Sequence, residues 1–422
     1  MEGIQPTNMK QFILSILLAS LVFFLACNNA DSGTGLAGVQ DDRDPATGVS
    51  NKGNFTEGVD YLLFERVRIL DTKGFADGAE AYSMLLPKGW NVESEIIWNG
   101  PGSGCDGTNQ HIKATSADGK YSIEFFPMKL WGWTSNEQLR DMQQQTASPS
   151  AYCDFGQPMT AEEYLRGDFV SQELGGATIR DLKSNQPVAD EMALTNDKTR
   201  RELMSYGAAD VQFRQTAVTA SLDFNDNTEG IVLCGMSNIE TTIPNVYNGS
   251  YDKSYTSQAQ QRILFRFPKG QGQQADKMLS VMMSGFRTNP SWRDAVNSFW
   301  KDVREKKQVA HIGRIRMMDE QTRRIGEEAI RRGNERLADM DVQMYNWEQK
   351  QQSQDRIHSE FIKTIRGVEN YQDASGKIEL SSGYDHAWSR GDGSGFIMTN
   401  NSTFDPSSVF QDQEWKEMKK VD

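Results

Sequence analysis

Two short segments on either side of Asp118-Gly119 alternate between apolar and polar residues, and this feature constrains the fold most. The segments cover residues 111–116 and 120–126. Asp-Gly suits the tightest hairpin turns, and a period of two places every second side chain on one face of a strand. The pattern predicts an antiparallel hairpin. The apolar face of its second strand would contain Tyr121, Ile123 and Phe125.

Further strand and helix patterns share the region 58–290 with this hairpin. Strand patterns occupy residues 61–70, 82–86, 92–98, 211–224, 231–239 and 262–267. Thr160 and Glu163 have the spacing of a helix capping box, and helix patterns follow at 190–206 and 273–286. Hairpins outnumber helices and the helices lie between them. We therefore expect an α+β domain, an antiparallel sheet flanked by helices.

Three strand-plus-turn stretches in this domain resemble those of the Mog1/PsbP-like sandwich. They are YSMLLPKGW at Tyr82–Trp90, YSIEFFP at Tyr121–Pro127 and ILFRFPKG at Ile263–Gly270. The resemblance covers just over half of the chain and implies a fold that hosts mostly binding and assembly factors. A fold alone does not define an activity.

Residues 291–366 contain no proline and have a helical pattern. Between Asp319 and Arg332, paired charges alternate in sign every four residues, which stabilises a solvated helix. An apolar stripe follows that some other surface must cover. It consists of Leu337, Met340, Met344, Trp347, Ile357, Phe361 and Ile365. The segment is one long helix or a helical hairpin, and as a coiled coil it would serve as a spacer or an oligomerisation element.

Residues 367–422 are rich in Gly, Ser, Asp and Asn and predict a small β-rich module that folds back onto this stripe. The stretch from Gln354 to Pro406, with the run IRGVENYQDASGKIELSSGYDHAWS, resembles the C-terminal region of a family of bacterial envelope lipoproteins with no known activity. The resemblance implies a family membership and no mechanism.

The N-terminus has the features of a lipoprotein signal peptide. Phe12–Leu25 is an apolar run with Lys10 before it, and Ala26-Cys27 after it resembles a lipobox. We expect removal of residues 1–26 and a lipid, with its palmitate, on Cys27. An uncleaved anchor is the alternative. Asn28 is not the aspartate of inner-membrane retention, so we expect the outer membrane, and 27–57 would be a flexible tether.

The net charge of −13 excludes an ordinary nucleic-acid partner, because phosphate binding requires an excess of Lys and Arg. The expected partners are the membrane, reached through the lipid, and an envelope protein or a glycan. Three cysteines remain after Cys27, and they cannot all pair within the chain. We favour a Cys105–Cys153 disulfide with Cys234 buried in a strand.

Several residues are candidates for chemistry or binding. Asp385-His386 resembles half of a catalytic triad, but neighbours in an extended loop point apart, so packing of Tyr384 and Trp388 is the simpler interpretation. Trp131 and Trp133 are either an aromatic platform for a sugar or peptide, or a cap on the core. The run 223–230 partly resembles a calcium loop but also suits a hairpin turn.

The motifs of serine hydrolases, zinc proteases and P-loop proteins do not occur, and we expect no cofactor or metal. The leading hypothesis is therefore an envelope lipoprotein that binds or bridges partners. The alternative is a hydrolase of envelope polymers or peptides. It would require a cleft that holds His386 or His111 beside a carboxylate and a nucleophile.

The lipid anchor can be tested directly. Cys27→Ala removes the thiol to which diacylglycerol would attach, so we expect the variant to lose labelling by a palmitate analogue and to leave the membrane fraction. Cys105→Ala is the matched control and should still be labelled. Continued labelling of Cys27→Ala would exclude this anchor.

Overall fold

The computed structural model describes the folded part of the chain between residues 55 and 421. The described ranges are 55–75, 78–100, 106–137, 140–141, 154–205, 207–244, 250–306, 353–365, 368–373, 376–381, 383–390, 394–410 and 415–421. The predicted signal peptide, Cys27 and nearly all of the tether lie outside them, as do the charge pairs from Asp319 to Arg332 and the stripe from Leu337 to Trp347.

The fold is mixed α+β, as the pattern predicts, with about half of the described residues in antiparallel sheets and a minority in helices. The strands are β1 (Leu62–Asp71), β2 (Ala79–Pro87), β3 (Asn91–Asn99), β4 (Gly107–Thr115), β5 (Ser122–Phe125), β6 (Lys129–Thr134), β7 (Asp154–Phe155), β8 (Thr178–Ser184), β9 (Asp210–Asp223), β10 (Thr228–Pro244), β11 (Tyr251–Pro268), β12 (Arg287–Thr288), β13 (Val368–Asp373), β14 (Gly376–Ser381), β15 (His386–Arg390), β16 (Gly395–Thr399), β17 (Trp415–Glu417) and β18 (Lys419–Val421).

The described helices lie between the strands. They are α1 (Ala161–Tyr164), a π-helix (Leu165–Phe169), α2 (Val170–Gln172), α3 (Gln186–Ala193), α4 (Asn196–Ser205), α5 (Gly272–Ser284), α6 (Pro290–Lys306), α7 (Ser353–Ile365) and a 3-10 turn (Pro406–Ser408). None of the helices in the described ranges is long and apolar enough to cross a membrane.

The described strands form three sheets. The large sheet has the order β3-β4-β5-β11-β10-β9-β8, and β6 continues the edge of β11 beyond β5. A second sheet has the order β12-β2-β1-β16-β15-β17, and a small one has the order β14-β13-β18. Except for the parallel pair β6 and β7, neighbouring strands are antiparallel.

The large sheet is covered on both faces, and the predicted alternation determines which residues lie on each. Ile123 and Phe125 of the predicted hairpin join the main core, which also contains residues of the second sheet and of α3, α5, α6 and α7. Val218 and Leu222 point the other way, into a second core beneath α1 and the π-helix. The capping box at Thr160 and Glu163 is formed.

Several elements are longer or more divided than the sequence indicates. The predicted helix 190–206 is two helices, and the first begins earlier because the Asn185 side chain accepts a hydrogen bond from the backbone N–H of Val188 at 3.2 Å. Strands β10 and β11 extend well beyond 231–239 and 262–267. Their outer halves are rich in Ser, Thr and Gln, which weakens the apolar pattern although the backbone pairing continues.

The strands after residue 367 do not all form a separate sheet. Strand β16 pairs with β1, with Phe64 opposite Phe396, and only β13, β14 and β18 stand apart. The end of the predicted stripe is covered as expected of an apolar face, since Ile357 and Phe361 are buried in the main core together with Tyr371.

A buried carboxylate joins the two larger sheets to α6. Asp71, at the end of β1, is fully buried, and its Oδ2 accepts indole N–H bonds from Trp98 of β3 at 3.0 Å and Trp292 of α6 at 2.9 Å. Its Oδ1 accepts backbone N–H bonds from Gly74 at 2.8 Å and Lys73 at 3.0 Å. Charge-assisted bonds of this kind are stronger than neutral ones, so the four donors offset the cost of burying the charge.

Removing one indole donor should therefore destabilise the fold. Trp292→Phe keeps an aromatic ring in the core but leaves the buried Asp71 carboxylate short of a hydrogen bond, which costs about 1–3 kcal/mol of unfolding free energy. Denaturant titration measures the loss. Trp133→Phe is the matched control, because the Trp133 indole N–H has no hydrogen-bond partner among the described residues, and it should cost less than about 1 kcal/mol. Equal losses in both variants would contradict this role of Asp71.

Candidate functional site

A cavity of about 180 Å³ lies on the main-core face of the large sheet, beyond the point where the apolar core ends. Strands β9, β10 and β11 form its floor. Helix α4 stands over β9 on one side, and α6 stands near β4 on the other, where Trp300 Nε1 donates to Thr108 Oγ1 at 2.8 Å. We call it the amide cleft. Its principal lining residues are Asn196, Gln215, Gln258, Gln260, Gln261, Asn297 and His358.

The cleft exists because the strands change from apolar to polar along one face. On β11, Ile263 and Phe265 belong to the main core, whereas Gln258 and Gln260 occupy the equivalent face further back along the strand. The same change occurs along β10, where Leu233 lies in the main core and Ser237, further along the same face, lines the cleft. An apolar helix that packed on this surface would bury polar groups without hydrogen-bond partners. The face of the sheet therefore stays uncovered here.

A β-bulge on β11 marks the change from core to cleft. Leu233 pairs with Ile263 and Gly235 pairs with Gln260, so Gln261 and Arg262 together face one residue of β10. Gln261 has φ of 54°, a left-handed conformation that glycine normally adopts at this kind of bulge. Such a conformation costs a residue with a side chain about 1–2 kcal/mol. Strain of this kind is concentrated at functional sites.

Two amide pairs fix the sides of the cleft. Asn196 of α4 and Gln215 of β9 exchange hydrogen bonds through their side-chain amides, at 3.2 and 2.8 Å. The side-chain amide of Asn109, on β4, makes two hydrogen bonds with the backbone of Met128. It donates to the carbonyl at 2.8 Å and accepts from the N–H at 2.9 Å. These side chains already hydrogen-bond within the protein, and they hold the walls of the cleft in place.

Other polar groups in the cleft have no partner within the described part of the chain. Gln258 is 4% exposed and its Nε2 has no hydrogen-bond partner, and fully buried His358 has none on either ring nitrogen. The side chains of Gln260, Gln261 and Asn297 also lack hydrogen bonds to described residues. Each unsatisfied buried group costs about 1–3 kcal/mol, so the cleft holds unused hydrogen-bonding capacity.

The electrostatics of the cleft follow from burial. Burial lowers the pKa of His358 to about 3, so its imidazole is neutral at physiological pH. One turn earlier, burial raises the pKa of Asp355 to about 6, against the opposing effects of Arg287 and a hydrogen bond from Thr288 Oγ1 at 3.1 Å. Of the described residues that line the cleft, none is an Asp or a Glu.

The tryptophan pair predicted from the sequence lies outside the cleft and within a strand, β6. Trp131 is buried in the second core, where it stacks on Tyr164 at 5.7 Å and donates from Nε1 to the Gln157 carbonyl at 3.0 Å. Trp133 is partly exposed beside Tyr255. Trp131 therefore serves as a core residue, and only Trp133 remains open to solvent.

The C-terminal candidates also lie apart from the cleft. His386 Nδ1 lies 3.4 Å from Glu417 Oε1, whereas the backbone N–H of Asp385 donates to Asn400, so the two neighbours do not act together. Trp388 stacks on His386 at 5.8 Å. Tyr384 is buried and lines a second cavity of about 280 Å³ near Lys277.

The remaining catalytic candidate, His111, pairs with Glu124 on the surface, with 2.8 Å between Nε2 and Oε1. Within the described residues no Ser, Thr or Cys side chain hydrogen-bonds to either of them. His111 and Glu124 therefore form a surface contact, with no nucleophile beside them among the described residues.

The run 223–230 is a hairpin turn between β9 and β10. The carboxylate of Asp226 accepts a hydrogen bond from the Thr228 hydroxyl and forms an ion pair with Arg266. The carboxylate of Asp223 lies 3.2 Å from the guanidinium of Arg180. Within the described residues no group of His, Cys, Asp and Glu could hold a metal ion.

Of the three cysteines after Cys27, only Cys234 lies within the described residues. Cys234 is fully buried in β10 with a free thiol, and burial raises its pKa to about 12. Cys105 and Cys153 lie outside the described residues, so their disulfide stays a prediction.

One signal in the sequence could have indicated the cleft. The run Gln258-Ala259-Gln260-Gln261-Arg262 places polar residues where the alternation of β11 calls for apolar ones, and the adjacent Gln260 and Gln261 break the period of two. A break of that kind is what a bulge produces.

Comparison with models of protein families, with curated proteins and with solved structures finds no match for this chain. The cleft is therefore interpreted from its own chemistry.

His358 should control how the fold responds to acid. Between pH 6.5 and about 3 the unfolded chain binds a proton at His358 that the folded chain rejects, so stability falls as the pH falls, by up to about 1.4 kcal/mol for each pH unit. His358→Leu should reduce the loss in unfolding free energy between pH 7 and pH 4, measured by denaturant titration.

Asp355 acts in the opposite direction and supplies the control. Its raised pKa means that the folded chain binds the extra proton between about pH 6 and 4, so acid stabilises the fold through this group. Asp355→Asn should make the acid loss steeper. A wild-type acid response in His358→Leu would contradict the burial of a neutral imidazole.

Proposed function

We propose that this protein is a lipid-anchored envelope protein that acts by binding, and that the amide cleft is its ligand-binding site. The observation that carries the proposal is a set of polar groups at the wall and floor of a preformed cavity, Gln258 and His358 above all, that are buried without a hydrogen-bond partner among the described residues. A ligand that pairs with them would recover free energy that the unliganded fold lacks.

The bulge supports the same proposal. A glycine at position 261 would remove the strain of the left-handed conformation, but it would also remove a side chain from the cleft lining. A strained glutamine where the backbone prefers glycine is what a site under selection for binding would have.

Binding is favoured over hydrolysis by what surrounds the histidines. The hydrolase hypothesis requires a His beside a carboxylate and a nucleophile in a cleft. Of the histidines in the described ranges, His111 and His386 each lie beside a carboxylate but do not line the cleft. No described carboxylate lines the cleft that contains His358.

The anchor and the fold complete the proposal. The lipobox at Cys27 would tether the domain to the envelope, most simply to the outer membrane. The segment after α6, which the sequence pattern predicts to be helical, would act as a spacer or bridge to a partner protein. The antiparallel sheet flanked by helices supports a Mog1/PsbP-like assignment, whose members are mostly binding factors. Both assignments are parts of this proposal.

The binding site can be tested with a panel of small probes of different chemistry. N-acetylglucosamine, end-blocked trialanine, glycerol 3-phosphate and putrescine are each added to wild type and to Gln260→Leu, which replaces an amide on the cleft floor with an apolar side chain of similar size. A ligand at 100 times its Kd stabilises the fold by about 2.7 kcal/mol, which thermal unfolding detects. We expect at least one probe to stabilise wild type and to have a much smaller effect on Gln260→Leu.

Gln212→Leu is the matched control, because Gln212 is exposed on β9 and does not line the cleft. This variant should respond to the probes as wild type does. If every probe that stabilises wild type stabilises Gln260→Leu to the same extent, or if no probe stabilises wild type, the cleft is not a binding site.

A further inference from the structure

The amide cleft has features that restrict what class of molecule it can bind, and the argument rests on the function proposed above. Several amide side chains of the lining have no hydrogen-bond partner among the described residues. Gln260, Gln261 and Asn297 each offer a donor and an acceptor on one rigid group, and Gln258 adds a buried donor. A matching ligand has groups that donate and accept at neighbouring positions, as hydroxyl groups do.

The charge of the lining argues against strongly charged ligands. The described lining contains no carboxylate that would attract a cation. The lining has two guanidinium groups, and that of Arg262 is already paired. It forms an ion pair with Glu173 and lies 4.6 Å from the centre of the Phe169 ring on the other face of the sheet. Arg293 has electrostatic partners of its own in Asp355 and Tyr82. Apart from these two guanidinium groups, the polar side chains of the described lining are neutral.

The position of the cleft argues against an extended peptide. Peptides commonly bind to sheets by adding a strand to an open edge, where backbone groups are unpaired. The cleft lies over the interior of the sheet. There β10 pairs with β9 and β11, and β11 pairs with β6 on its other side. The ligand must therefore be read by side chains, and a cavity of about 180 Å³ suits a compact molecule.

The cleft also has an apolar component. Phe125, Phe213 and Val296 contribute to its lining, alongside the amides. A sugar ring presents C–H groups on its faces and hydroxyls around its rim, so it combines an apolar surface with paired donors and acceptors. Aromatic and aliphatic contacts can cover the faces while the amides bind the rim.

We propose that the amide cleft binds one sugar unit of an uncharged saccharide, a hexose or an N-acetylhexosamine. The side chains of Gln258 and Gln260 bind its hydroxyls from the floor, and Asn297 does so from the wall formed by α6. Gln261 is held in its left-handed conformation so that its amide also reaches the ring.

Calorimetric titration tests this class of ligand. Glucose and N-acetylglucosamine are the neutral probes. Glucuronate and glucosamine are the charged counterparts, and end-blocked trialanine represents a peptide. We expect at least one neutral sugar to bind wild type and Gln212→Leu equally, and at least tenfold more weakly to Gln258→Leu and Gln260→Leu. The charged sugars should bind more weakly than their neutral counterpart.

Gln261→Gly separates a binding defect from a folding defect. Glycine accepts the conformation at the bulge, so this variant should unfold at a temperature equal to or higher than wild type, and still bind the neutral sugar several-fold more weakly. A loss of binding without a loss of stability cannot come from misfolding.

The possible failures are distinguishable. If trialanine or a charged probe binds wild type but not Gln260→Leu while the neutral sugars do not bind, the cleft is a binding site and the saccharide assignment is wrong. If the neutral sugars bind wild type and all cleft variants equally, they bind elsewhere and the assignment is again wrong. If no probe of any class depends on Gln260, the proposed function fails together with it.

Discussion

The structure depends on how it accommodates one buried carboxylate. Asp71 ends the first strand of the second sheet, and its partners Trp98 and Trp292 come from the large sheet and from α6. Trp98 in turn stacks on Trp300, which hydrogen-bonds to β4. A carboxylate buried without donors would destabilise the fold by several kcal/mol, so all of these elements must take their places together. The wall that α6 gives the cleft therefore depends on Asp71.

Local patterns in the sequence predict much of this fold, because hairpins and caps are decided by neighbouring residues. Asp118-Gly119 and the Thr160–Glu163 box behave as their chemistry requires. The order of strands within the sheets is different, because it depends on pairings between distant residues such as Phe64 and Phe396. No local pattern encodes that partnership. The lengths of β10 and β11 were missed for a different reason, because Ser, Thr and Gln in their outer halves weaken the apolar alternation.

The cleft could not be predicted for a related reason. Its residues come from strands, helices and a bulge that lie far apart in sequence, and no described Asp or Glu lies beside His358 in the lining to suggest catalysis. Trp131 and His386 have the residue types expected at a functional site. In the structure, Trp131 packs in the second core and His386 contacts Glu417 on the surface. The residues that define the cleft are glutamines, which are common in any sequence. Their role becomes visible only in the structure, where they line the sheet face beyond the end of the apolar core. The strain at Gln261 is likewise a property of the backbone that side-chain patterns do not show.

The pairing of β1 with β16 also determines when the protein can fold. Leu62 has Met398 as its partner, so β1 has no neighbour on that side of the second sheet until β16 has been synthesised. Contacts between such distant residues close slowly. During that interval Phe64 and its neighbours are exposed, and a chaperone that holds nascent chains unfolded would have a long stretch of time in which to engage them.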